Sequence, residues 1–181
     1  MKTNQPLIVT ARIAENDLEF FDRLRKAHFP PDRNFLRAHL TMFHRLPGEY
    51  GEQIIRHLQT TAAKHGRITA ETAGIRHLGA GVAFPIESAE LRQVHTELKS
   101  MFMPWLGGQD MQTWQPHVTV QNKVSRLTAD TLHAQLSRDF QRQPLTIEGI
   151  DLWRYLGGPW ELERTISFDP ASTQNTTPQT G

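Results

Sequence analysis

Two short stretches carry the residues best suited to chemistry. "AHLTMFHRLPG" (38–48) holds His39, one spacer and Thr41, and "PHVTVQNKV" (116–124) repeats the arrangement with His117 and Thr119. Imidazole, with an ordinary pKa of about 6.5, gives or takes a proton near neutral pH. A threonine hydroxyl donates hydrogen bonds to non-bridging phosphate oxygens. Two such pairs around one phosphodiester would supply a base for the attacking group, an acid for the leaving group and donors for the oxygens. With nine histidines in the chain, about one His-x-Thr match is expected by chance. The weight therefore lies in the pair, and in the alternating apolar residues around both members. The plainer reading makes both histidines half-buried strand residues bonded to backbone, with the threonines serving strand propensity.

Alternate residues of a strand share a face. His39, Thr41 and Phe43 are thus predicted to look into a cleft while Leu40 and Met42 enter the core. By the same rule His117, Thr119 and Gln121 oppose Val118 and Val120. The elements that must hold these strands can be read in chain order. A buried strand over 7–13 leads to a helix opened by an Asn16/Glu19 capping box and ended by the prolines of "FPPDR". The first motif strand spans roughly 37–45. A helix with Tyr50, Ile54, Leu58 and Ala62 inward closes at Gly66, and a hairpin over 67–86 turns near Gly79–Gly81. The order then recurs: a Ser88-capped helix, the second motif strand, a Thr128-capped helix, and a hairpin over 144–168 turning at Gly157–Gly158. Residues 7–86 and 87–168 therefore read as halves of an internally duplicated α+β unit, one domain over 1–168. The polar tail, 169–181, lacks large apolar residues and is expected to be disordered.

Composition narrows the function. Twenty Lys and Arg against nineteen Asp and Glu leave a net charge of +1, which gives no global field for long duplexes. A nucleic-acid partner would be a small fragment or a strand end. The absence of cysteine rules out disulfides and thiolate metal sites. No apolar window approaches the roughly 20 residues of a membrane span, so no membrane association is expected and a cytoplasmic location is the default. No helical His-Glu-x-x-His, Walker loop or dinucleotide fingerprint is present, so neither a metal nor a cofactor is expected. No obligatory protein partner is evident.

The pair "HLTM" (His39–Met42) and "HVTV" (His117–Val120) resembles the signature of the two-histidine phosphoesterase superfamily. Together with "WRYLGGPWE" and the order of elements over 7–168, it is similar to the bacterial 2′-5′ RNA ligase-like proteins. The resemblance implies a bilobal fold, two antiparallel sheets lining a central groove with helices outside. It also implies metal-independent chemistry on 2′,3′-cyclic phosphates or 2′-5′ phosphodiesters of RNA ends or small nucleotides, with reverse ligation. His39 and His117 would be the acid–base pair, and Thr41 and Thr119 the phosphate-binding hydroxyls. Many relatives carry an arginine five positions after the second motif histidine; this chain has Asn122 there, followed by Lys123. A non-catalytic module holding RNA ends or nucleotides is the alternative reading.

Further candidates surround the motifs. Arg33, Arg37, Arg45, Lys123 and Arg126 would form a positive rim, and Phe43 would stack on a base. Gln121 and Lys123 are expected to touch substrate. In "LWRYLGG" alternation puts Trp153 and Tyr155 on one face and Arg154 on the other. Which face lines the groove stays open, and Arg154 and Tyr155 are both candidate substrate-binding residues. The other histidines, His44 and His95 among them, read as helix-surface or turn residues.

Overall fold

Short apolar runs with β-branched residues form eight strands, and amphipathic stretches form four α-helices, in a computed structural model that describes residues 4–168. The strands are β1 (Leu7–Ile13), β2 (Leu40–Leu46), β3 (Ile68–Thr72), β4 (Arg76–His77), β5 (Val82–Glu87), β6 (His117–Gln121), β7 (Pro144–Tyr155) and β8 (Trp160–Ser167). The helices are α1 (Glu15–His28), α2 (Gly51–Ala62), α3 (Ala89–Phe102) and α4 (Arg126–Arg138). The predicted tail over 169–181 lies outside the described residues.

The helices bury one stripe each. Ile54, Leu58 and Ala62 of α2 and Leu91, Val94, Leu98 and Phe102 of α3 enter one continuous core with the strands. Ser88 caps α3 as its sequence suggests, its hydroxyl accepting from the Leu91 N–H at 3.2 Å. Two other caps differ from expectation. Ser125, not Thr128, caps α4, and Thr128 supplies the donating N–H at 3.1 Å. The start of α1 has no side-chain cap at Ala14, and Asp17 instead accepts the Thr146 N–H at 2.8 Å, tying the helix to β7.

All strand pairs are antiparallel, in the order β1-β2-β6-β5-β3-β7-β8, with β4 beside β5 and β1 also beside β7. The two sheets expected from the resemblance are thus joined through β2–β6, and the β1–β7 pairing closes the circuit. At β2–β6 the partners are Leu40 and Val118, the central residues of the two His-x-Thr motifs.

Each motif strand also carries a register shift just past its threonine. On β2 the partners step from Thr41 to Phe43 while β1 advances by one residue. On β6 they step from Thr119 to Gln121 while β5 advances by one. Such bulges insert a residue and rotate the next side chains to the other face. Gly81 makes the second one possible: a Cβ there would lie 1.9 Å from the carbonyl oxygen of Gln121. Gly81→Ala is therefore expected to destabilise the fold by about 1–3 kcal/mol, measured by urea unfolding. An unchanged midpoint would show that the close approach carries no constraint.

Candidate functional site

Pairing of Leu40 with Val118 fixes where the motif side chains go. In an antiparallel pair, neighbours of directly opposed residues are themselves opposed. His39 therefore stands across from Thr119, and Thr41 across from His117. Leu40 and Val118 are fully buried, so the four polar residues share the opposite face, and all four line one groove of about 460 Å³. Diagonal neighbours of this kind sit about 7–8 Å apart, room for one phosphoryl group between two imidazoles.

The rings are held alike. Nδ1 of His39 bonds the carbonyl of Arg37 at 2.8 Å, and Nδ1 of His117 bonds that of Gln115 at 2.7 Å, each reaching back two residues. A carbonyl only accepts, so Nδ1 carries the hydrogen and Nε2 keeps its lone pair for a ligand. The rings are electrostatically alike too. Burial lowers His39 to about 4, helped by the charges of Arg25, His117 and His44, against the opposing pull of its backbone bond. Burial also lowers His117, with Arg76 and His44 adding to it.

The bulges decide the fate of the next side chains and correct two expectations. Phe43 does not face the groove: it is fully buried and stacks flat on His95, with ring centroids 4.7 Å apart. Gln121 is likewise buried, only 2% exposed. The strand alternation that would have kept them beside the threonines breaks at Met42–Phe43 and Val120–Gln121. Three further candidates lie elsewhere. Arg154 is engaged by Glu161 and Glu163 at 2.7 and 2.8 Å on the β7–β8 ribbon. Lys123 and Tyr155 meet in a separate depression with Arg33 and Phe35. On the other face of β7, Trp153 points to a cleft beside His39.

The same bulge brings in a residue that local patterning places on the surface. His44 lines the groove and bonds Asp110 through Nδ1 at 2.9 Å. Asp110 is buried and also accepts the backbone N–H groups of His44 and Arg45. Burial alone would raise its pKa; these hydrogen bonds outweigh that and hold it below the ordinary carboxylate range. Asp110 is thus an ionised acceptor that fixes the His44 ring. Three other placements brace the motifs. His95 donates to the Met42 carbonyl at 3.1 Å, Trp114 donates to the Thr41 carbonyl at 3.0 Å, and their rings stack at 4.1 Å. The equivalent carbonyl of the second motif, Thr119, accepts from the buried guanidinium of Arg25 at 3.2 Å. None of these partners is close in sequence, so no local signal could have found them. Finally, Arg76 lines the groove and makes no ion pair among the described residues. It aligns with Ala83 and Thr119 across three strands. Among the described residues no three His, Asp or Glu side chains gather as a metal-ligand set, and no helix is long and apolar enough to cross a membrane.

His95 has its pKa lowered to about 4, chiefly by burial. An unfolded histidine takes up its proton near about 6.5, so between these values the unfolded chain binds more protons than the folded one. Stability must then fall as pH drops from 6.5 towards 4. Urea midpoints measured across that range are expected to fall, more shallowly in His95→Gln. A flat profile would mean the stacked ring is not held neutral.

This site belongs to a chain whose residues 13–159 match the family described as the 2′-5′ RNA ligase superfamily. No curated protein matches the sequence. Solved structures do share the fold. TT0787 of Thermus thermophilus superposes with a TM-score of 0.66 at 14% identity, covering 90% of this chain and 97% of that one. E. coli LigT complexed with 3′-AMP gives 0.60 at 13% identity, covering 90% and 98%. A crystal structure described as a phosphoesterase gives 0.56 at 17%, covering 91% and 99%. With a family match over most of its length and this architecture, the chain is a member of the 2′-5′ RNA ligase superfamily.

Proposed function

We propose that the protein is a metal-independent phosphodiesterase that opens 2′,3′-cyclic phosphates or 2′-5′ phosphodiester bonds at RNA ends or in small nucleotides. The observation that carries this reading is the Leu40–Val118 pairing, which sets two Nε2-presenting imidazoles and two hydroxyls around one volume. Family membership supports the reaction class, and LigT structures with 3′-AMP and with phosphate support ligands of this chemistry.

In the forward direction one imidazole takes a proton from water as its oxygen attacks phosphorus. The bond from phosphorus to the departing ribose oxygen breaks in line, and the other imidazole, as imidazolium, returns a proton to that oxygen. A monoester and a free hydroxyl result. A ribose 5′-hydroxyl attacking a 2′,3′-cyclic phosphate in place of water runs the same displacement. Its proton goes to the base, the bond from phosphorus to the 3′-oxygen breaks, and that oxygen takes the acid's proton. A 2′-5′ linkage then joins two ends, the reverse of 2′-5′ cleavage. Thr41 and Thr119 donate to the non-bridging oxygens. Arg76 supplies the charge that many relatives place five residues after the second motif histidine. The small Ala83 between it and Thr119 leaves the guanidinium a clear reach across the sheet.

Because burial lowers the pKa of both motif histidines and leaves them neutral near pH 7, the acid form is the scarce one. The pH profile of kcat/KM is expected to be bell-shaped with its maximum below pH 6.5, since free-enzyme pKa values set its limbs. A plateau extending to pH 8 would contradict the assignment. Turnover of 2′,3′-cyclic nucleotides in excess chelator is expected to persist, and to fall by roughly 10²-fold or more in His39→Ala and His117→Ala. Near-normal rates in both variants would remove the mechanism and leave the nucleotide-binding alternative.

A further inference from the structure

The groove continues past the motif residues at one end. Thr41 stands across from His117, and His44 lies three positions further along β2, so His44 is on the His117 side of the phosphate position. There the wall changes character. Gln109 comes from the short helical turn Gly108–Met111, and Gln112 and Thr113 follow it. These three side chains line the groove and have no hydrogen-bond partner among the described residues. His44 and Gln109 also line a depression of about 800 Å³ beyond, so the groove opens onto space for a group much larger than a phosphate.

The His44 ring is set in advance. Its Nδ1 is taken by Asp110 at 2.9 Å, and Asp110 spends its other acceptors on the backbone N–H groups of His44 and Arg45. Only Nε2 is left for a ligand. A sugar hydroxyl both donates and accepts, so it pairs with Nε2 in either protonation state, and equally with the amides of Gln109 and Gln112. A second phosphate fits this end poorly, because the ionised Asp110 stands directly behind the ring. The depression beyond sets Arg45 against Glu49, one charge of each sign. This end therefore suits an uncharged group rich in hydroxyls.

We propose that His44, with Gln109, Gln112 and Thr113, forms a sugar subsite for a second nucleoside, the one whose 5′-oxygen occupies the apical position beside His117. The inference rests on the phosphodiesterase reading of the groove, and it gives the two motif histidines different partners. In cleavage of a 2′-5′ bond, His39 takes the proton of the 3′-hydroxyl as that oxygen attacks phosphorus. The bond from phosphorus to the 5′-oxygen breaks, and His117 returns a proton to it. A 2′,3′-cyclic phosphate and a 5′-hydroxyl result. Joining runs the same steps backwards. The substrate class selected is a 2′-5′ linked pair of nucleosides, held on both sides of its phosphate.

The test compares adenylyl-(2′-5′)-adenosine with adenosine 2′-(methyl phosphate), which presents the same kind of bond without the second sugar. The wild type is expected to show a kcat/KM at least tenfold lower for the methyl ester. His44→Ala, at a partly exposed position, and Gln112→Ala, at an exposed one, should each narrow that gap by roughly 2- to 10-fold, the worth of one hydrogen bond. The loss should fall mainly in KM for the dinucleotide. Equal kcat/KM for the two compounds in the wild type, or a gap that neither variant narrows, would overturn the proposal. Should neither compound be turned over, the catalytic reading fails separately, and calorimetry with the same two compounds then tests the subsite. Tighter binding of the dinucleotide, with the advantage reduced in His44→Ala or Gln112→Ala, supports it. Equal affinities, or an advantage that survives in both variants, overturn it.

Discussion

A single antiparallel contact, Leu40 against Val118, determines what the rest of the site can be. Strand geometry leaves no freedom once that pair is set, because side chains flanking directly opposed residues must emerge on the same face. Both central residues are fully buried, so sliding the register by one would drive two imidazoles into the core and two apolar side chains into the groove. The hydrophobic cost of that exchange makes the register steep. What looks like a chemical arrangement is thus enforced by packing, and much of the fold serves to hold it. The β1–β7 pairing closes the strand circuit, α1 packs against β6, and Arg25 fastens the two through the Thr119 carbonyl.

The bulges after each threonine arise from the same need. A regular strand would crowd the groove with the bulk of Phe43 beside Thr41. The inserted residue sends that ring into the core and turns His44 towards the groove. A bulge also loosens backbone carbonyls from the ladder, and here they are recovered. Trp114 and His95 take those of Thr41 and Met42, with Phe43, His95 and Trp114 stacked as one column. His95 is held neutral here because burial disfavours its charge, and its Nε2–H still donates to the Met42 carbonyl. The groove is therefore set between a rigid aromatic wall and a buried ionised carboxylate, Asp110, whose acceptors are all directed at the backbone and ring of His44 and the backbone of Arg45.

Much of this could be read from sequence wherever the physics is local. Strand β1 coincides with the apolar run 7–13, the β7–β8 hairpin turns at its glycines, and Ser88 caps the helix after it. The α+β class, the motif strands and the paired histidines emerge from periodicity and spacing, and the resemblance extends them to a family that the comparisons establish. The misses are equally physical. Phe43 and Gln121 are misplaced by an alternation that a bulge interrupts, and bulges depend on the partner strand rather than on the strand's own residues. His44, His95, Arg25 and Arg76 gain their meaning from residues far along the chain, so their local sequence is silent. The caps at Asn16 and Thr128 lose to Asp17's bond to β7 and to Ser125, both matters of tertiary docking or of a competing hydroxyl three residues away. Lys123 and Tyr155 do meet, but in a depression of their own, because the turn after β6 carries Lys123 away at a φ of 61°.

The claim on which all the chemistry rests is that two imidazoles address one phosphorus from opposite ends. A crystal structure with a nucleoside vanadate, whose trigonal-bipyramidal centre imitates the in-line transition state, tests it directly. Vanadium is expected between the two rings. Nε2 of His39 and Nε2 of His117 should each lie within hydrogen-bonding distance of a different apical oxygen, with the threonine hydroxyls on the equatorial ones. Vanadate bound with both rings on the same side, or held outside the groove altogether, would contradict it.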